Sequence, residues 1–166
     1  MRPILHATGP SMALALGLLI SFVGGTARPL VAQEGPQNVR LVFQLVEANG
    51  YEGADPEIED VVAELRQLFR FDGYRLAATG LLNGALDSDA ATRLTGEEHG
   101  GFTVETDMMT TQTEGMIRIR VQLYHELDGS AMLATVNVRD NQTLVLGSTR
   151  TLEGAALILI MRTSFQ

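Results

Sequence analysis

The chain has 166 residues, of which 45% are hydrophobic, 5% aromatic and 19% charged, and its 12 basic and 20 acidic side chains give a formal net charge of −8. These proportions fit one globular domain plus a targeting segment, and they exclude a disordered tail, a coiled coil and a polytopic membrane protein. Residues 1–33 hold Arg2 and Arg28 and no acid, so the remainder sets 10 Arg against 20 Asp and Glu, a field that repels nucleic acid and anionic membrane surfaces.

The N-terminus has the layout of a secretory signal. Arg2 and His6 precede an apolar run from Met12 to Val23, and Gly24-Gly25-Thr26-Ala27 and Leu30-Val31-Ala32 supply the small residues that signal peptidase accepts. Cleavage after Ala27 or Ala32 fits, and the polar stretch after Ala32 favours the second. The run is shorter than the roughly 20 residues that cross a bilayer, so no stable membrane insertion is expected after cleavage. The organisation read from the sequence is therefore a signal peptide over 1–32, a flexible mature N-terminus over 33–38 and a single α+β domain over 39–166. No Cys occurs anywhere, which removes disulfides, thiol nucleophiles and Cys-ligated zinc together.

Along the domain, Val39, Leu41, Phe43 and Leu45 alternate with Arg40 and Gln44, the pattern of a half-buried strand. A turn-rich stretch, Asn49–Ala54, leads to Asp55 as a natural N-cap and Pro56 at the first helical position, with Glu57, Glu59 and Asp60 set to complement the helix dipole. Ile58, Val61, Val62, Leu65, Leu68 and Phe69 then form one apolar stripe on a helix of about four turns. Everything after Gly73 reads as β: Tyr74–Leu82, a turn at Asn83-Gly84, further punctuation at Asp87-Ser88-Asp89, then Ala91–Thr95, Phe102–Met109, Met116–Leu127, Ser130–Arg139, Thr143–Gly147 and Ala155–Thr163. The fold class that results is α+β, an antiparallel, mostly meander sheet or small sandwich with one amphipathic helix packed against it. Within the predicted core lie Phe43, Leu65, Phe69, Val121, Val136 and Leu159.

Two hairpins can be carried to register. A two-residue loop at Asp128-Gly129 sets Ile119 against Val138 and Arg118 against Arg139. A four-residue loop over Thr111–Glu114 sets Glu105 across from Arg120 and Asp107 across from Arg118. Both registers put Arg118, Arg120 and Arg139 on the wet face, and these three arginines are the candidate partner-binding residues. An exposed β edge is a second candidate for docking. The last apolar run, Leu157–Met161, suits a strand covered on both faces.

Catalytic motifs are absent from the sequence. None of Ser88, Ser130, Ser148 and Ser164 lies in Gly-x-Ser-x-Gly. Asp87-x-Asp89 begins like a calcium loop, yet Ala91 and Thr92 stand where ligands should follow. His99 beside Glu97 and Glu98 has no second His at ligand spacing, and His125 reads as a core-edge histidine. No catalytic, cofactor-binding or metal-binding residue is assigned, and no cofactor is expected. With no Trp and only Tyr51, Tyr74 and Tyr124 in the mature chain, stacking on sugar faces is poorly served.

Two stretches carry resemblances. Val138-Arg139-Asp140-Asn141-Gln142-Thr143-Leu144-Val145-Leu146-Gly147, followed by Ala156–Thr163, resembles the end of the secretin core, where a turn leads to Gln-Thr-Val-Val-(Ile/Leu)-Gly-Gly and a later strand ends in Thr-Pro. It spans about 26 residues, with Ser148 in place of the second Gly, no Pro after the last strand and a compressed segment between the two motifs. Leu65–Leu76 is similar to a signature of small exported bacterial proteins of unassigned function. The expectation is a non-enzymatic, periplasmic or secreted module that docks on an envelope protein, and the resemblance implies that it is secretin-associated or secretin-like. A domain that binds small molecules or glycans, and then a hydrolase, are the alternatives.

Overall fold

A computed structural model of the chain describes residues 38–48, 53–96, 101–127, 129–150 and 155–166. The segment expected to be a signal peptide, His99 with Glu97 and Glu98, Tyr51 and Asp128 lie outside the described residues. In chain order the elements are β1 (Asn38–Ala48), β2 (Gly53–Ala54), a 3-10 turn (Pro56–Ile58), α1 (Glu59–Leu68), β3 (Gly73–Ala85), β4 (Ser88–Leu94), β5 (Phe102–Thr110), β6 (Met116–His125), β7 (Gly129–Arg139), β8 (Thr143–Arg150) and β9 (Ala156–Phe165). They form a five-stranded sheet ordered β2-β3-β1-β9-β8 and a four-stranded sheet ordered β4-β5-β6-β7. All neighbours are antiparallel except β2 on β3. The class is thus broadly α+β, mostly strand with one short helix.

Alternation in β1 sends Val39, Leu41, Phe43 and Leu45 to one side, where they join Leu157, Leu159 and Met161 of β9 and the inward residues of the four-stranded sheet, Val104, Met108, Ile117, Ile119, Val121, Leu123 and Val138. The opposite side of β1 and β9 offers Val46, Ala48, Ile158 and Ile160 to Ile58, Val61, Val62 and Leu65 of the helical segment and to Tyr74. Each such large side chain contributes about 1.5–3 kcal/mol relative to exposure. Burial on both faces explains why Leu157–Met161 is apolar without alternation.

Polar positions under the helix need partners, and Gln44, which alternation assigns to solvent, is 8% exposed. Its Nε2 donates to the Glu57 carbonyl at 3.3 Å, and its Oε1 accepts from Arg162 Nε at 3.2 Å. Asp55 is not a side-chain cap: its Oδ2 accepts from the Leu76 N–H of β3 at 2.8 Å, so it fastens the start of the helical segment to the sheet instead. Leu68, placed on the apolar stripe by spacing, is 58% exposed, because α1 ends there and Phe69 turns to extended backbone, its N–H donating to the Leu65 carbonyl. Phe69 and Val136 are half-buried, whereas Phe43, Leu65, Val121 and Leu159 are buried as expected.

The turn expected at Asn83-Gly84 is not there; β3 continues to Ala85. Gly84 serves close packing, since a Cβ there would land on the Met108 methyl. The chain reverses at Leu86-Asp87 instead, with Asp87 at φ 56° and its Oδ1 accepting from the Thr110 N–H at 3.0 Å. β3 and β4 then part into different sheets, joined by a bridge in which the Thr79 and Thr95 backbones donate to each other at 2.9 and 2.7 Å.

Both expected hairpin registers are displaced by two residues. In β5–β6, Asp107 faces Arg120, Glu105 faces Gln122 and Met109 faces Arg118. The loop is longer than four residues because Gly115, at φ 70°, belongs to a turn closed by the Met116 N–H on the Thr113 carbonyl at 3.2 Å. In β6–β7, Arg118 faces Asn137, Ile119 faces Val136 and Arg139 faces Met116, with an irregularity between Leu123 and Tyr124. Gly129 sits at φ 80° opposite His125, the left-handed position that closes a hairpin through a bulge instead of a two-residue turn. An even slip keeps every side chain on its face and changes only its partner.

Candidate functional site

The outer face of the four-stranded sheet is built by the residues of each strand that point away from the shared core. Rows cross it as Asp89, Asp107, Arg120, Thr135 and as Ala91, Glu105, Gln122, Leu133. A concavity of about 590 Å³ opens over β4, β5 and β6, lined among others by Asp89, Glu105, Asp107 and Arg120 and by no aromatic residue.

Arg118, Arg120 and Arg139 are all exposed on this face. The direct Arg118–Arg139 opposition expected from the sequence does not occur. Arg139 lies diagonal to Arg118, whose Nε donates to Asn137 Oδ1 at 3.0 Å. A diagonal in an antiparallel pair is about 7–8 Å, which weakens the repulsion that a direct pair would feel. Asp107, expected beside Arg118, stands across from Arg120. None of β6, β7 and β8 contains an Asp or Glu, and among them they carry Arg118, Arg120, Arg139 and Arg150. Arg118, Arg120 and Arg139 share the outer face with Asp89, Glu105 and Asp107 of β4 and β5, and Arg120 stands directly across from Asp107.

No family model, curated protein or solved structure matches this chain. The site therefore has to be read from its own chemistry. Among the described residues no three His, Asp or Glu side chains converge as a metal site, and no helix is long and apolar enough to cross a membrane. His125 is half-buried and packs its ring on Phe102, with centroids 4.6 Å apart and planes tilted by 35°. Ser148 lies on β8 in the other sheet.

Two ion pairs on the five-stranded sheet were not legible in the sequence. Arg162 of β9 makes a two-pronged contact with Asp60 of α1, Nη1 to Oδ2 at 2.6 Å and Nη2 to Oδ1 at 2.8 Å. The hydrogen bond from that guanidinium holds the Asp60 carboxyl below its ordinary value of 3.8. Glu47, whose side chain is 5% exposed, accepts from Arg75 Nη2 at 2.8 Å. Charged residues at helix N-termini and on strands are read locally as dipole complements or wet positions, so nothing short of the packed sheet brings these partners together. Tyr74 is pushed up from 10.0 by burial, and its hydroxyl donates to the Phe69 carbonyl at 3.0 Å, tying the chain after α1 to β3.

Proposed function

We propose that this protein is a non-enzymatic exported module that docks on another envelope protein through the outer face of β6 and β7. The observation that carries the reading is the exposed trio Arg118, Arg120 and Arg139 on β6 and β7, two adjacent strands that contain no acid, in a chain that is otherwise strongly acidic. Complementary charge of this kind raises association rates and selects partners more than it adds affinity, so the partner surface should be acidic. The two sheets read together as a small sandwich with α1 on its outer side, a rigid frame for such a face. The resemblance of Val138–Gly147 and Ala156–Thr163 to the secretin core makes a secretin-containing envelope complex the first place to search for the partner. Export rests on the signal-like segment 1–32.

A cross-linked pull-down from the envelope fraction tests the reading. The native protein should recover one protein partner, and the Arg118→Glu, Arg120→Glu double variant should recover at least about tenfold less, a difference that narrows as salt screens the contact. Equal recovery by both proteins would refute the basic face. A glycan-binding role is less favoured, since the concavity beside Arg120 has no ring in its lining on which a sugar could stack.

A further inference from the structure

We propose that β7 is the edge through which two copies of this chain pair, antiparallel about a two-fold axis at Thr135. Among the described residues β7 is hydrogen-bonded only to β6, and the sheet ends there. The other end of that sheet is guarded by the β3–β4 crossing and its Thr79–Thr95 bridge. The nearby edge of β8 is broken by an irregularity between Val145 and Gly147, a usual way of blunting an edge against pairing. β7 has its own irregularity, which skips Ala131, but it lies at the start of the strand and not in its middle. The strand pairs with β6 without a break from Met132 to Arg139, and its segment Ala131–Val138 contains no Pro and no charge.

The side chains of this edge are unfinished in burial. On β6 the inward residues Ile119, Val121 and Leu123 are fully buried, whereas Met132, Ala134 and Val136, their partners on β7, are only half-buried. On the outer face Leu133 is 62% exposed. A further strand would cover both sets, and its chemistry follows from theirs: uncharged, apolar on one parity and polar on the other. An acidic strand would gain nothing along this ladder, because no cation stands between Ala131 and Val138.

β7 itself meets that description. With paired numbers summing to 270, Thr135 faces Thr135 of the other copy, Leu133 faces Asn137, Ala134 faces Val136 and Met132 faces Val138. On the inward parity the paired side chains are all apolar, on the outer parity Leu133 meets Asn137, and Thr pairs favourably with Thr across antiparallel strands. Arg139 falls opposite Ala131, so no like charges oppose. The two Arg120 side chains would be three strand spacings apart, about 14 Å, beyond the screening length at physiological salt. The four-stranded sheets of the two copies would become one continuous sheet, presenting both arginine trios on one surface. The pairing does not depend on the docking role of those arginines, and it is tested without any partner.

The protein purified alone should sediment as a dimer at about 100 μM, the range in which a weak edge contact is populated. Thr135→Lys places two ammonium groups in direct opposition at an exposed position and should shift the chain to monomer with its circular dichroism unchanged. Because the chain has no Cys, Thr135→Cys can form only an intermolecular disulfide, and directly opposed residues lie within disulfide reach. It should cross-link under mild oxidation at least about tenfold faster than Ser148→Cys, an exposed position on β8. A native chain that stays monomeric, a dimer that survives Thr135→Lys, or equal cross-linking at the two positions would each overturn the proposal. A monomer whose Thr135→Cys variant is shielded by its own N-terminal segment counts with these.

Discussion

The central strands of the two sheets are of similar length and opposite character. In β9, Leu157 to Met161 are buried without interruption, while in β6 buried Ile117, Ile119 and Val121 alternate with exposed Arg118 and Arg120. The difference is what lies on the second face: α1 covers β9 and β1, and solvent covers β6. Wherever a polar residue enters the covered strands it has a named partner. Gln44 bonds the Glu57 carbonyl, Glu47 pairs with Arg75, and the Thr163 hydroxyl donates to the Arg139 carbonyl at 2.7 Å. On the wet sheet Arg118 and Arg120 stay exposed, Arg118 donating to Asn137 and Arg120 standing across from Asp107.

The largest expected effect breaks this contrast at its apolar centre. Leu65→Ala removes a fully buried side chain between α1 and the sheet and should lower unfolding free energy by about 2–5 kcal/mol, whereas Leu133→Ala on the wet sheet should change it by less than about 0.5 kcal/mol. Urea denaturation of the two variants measures both. Similar losses would mean that the two faces are not differently covered.

A smaller loss is expected at the covered ion pair. Arg75→Ala removes the guanidinium that donates to Glu47, whose side chain is 5% exposed, and about 1–3 kcal/mol should be lost. Glu47→Gln should cost less, because Arg75, one-third exposed, can turn to water. The reverse order in thermal or denaturant unfolding would contradict the burial assigned to this pair.

Asp60 sharpens the comparison through pH. Its folded-state value is depressed by Arg162, so its contribution is present above its unfolded value near 3.8 and fades as pH falls through the lower folded value. The Asp60 side chain is 57% exposed, so solvent screening limits the effect to less than about 1 kcal/mol. Asp60→Asn should therefore be less stable than the native chain at pH 7 and indistinguishable from it near pH 2. A gap that persists at pH 2 would locate the effect elsewhere.

The smallest effect belongs to the wet sheet. Asp89 faces Asp107 across β4–β5, and like charges directly opposed are unfavourable. Asp89→Ala should stabilise by about 0.2–0.5 kcal/mol at low salt, and the gain should vanish in 1 M salt. Destabilisation would show that Asp89 has a favourable contact outweighing that opposition.

Local spacing alone determined the class, the helical segment with its start at Pro56, all eight longer strands to within a few residues of their ends, and the face to which each residue of β5 and β6 points. These features depend on periods of 2 and 3.6 residues, which a stretch of ten residues displays by itself. Tertiary structure decided the partners. A hairpin's register depends on where a left-handed residue closes its loop, and Gly115 and Gly129 closed theirs two residues away from the positions that loop length alone suggested, moving Asp107 from Arg118 to Arg120. Gly84 looked like a turn and proved to be a packing contact with Met108, because a glycine's role is set by what approaches it from elsewhere in the chain. Gln44 and Arg162 lie 118 residues apart, and Asp60 and Arg162 lie 102 apart. No local pattern encodes such a meeting, which exists only once α1 has been laid across β1 and β9 and brings these polar groups within reach of one another.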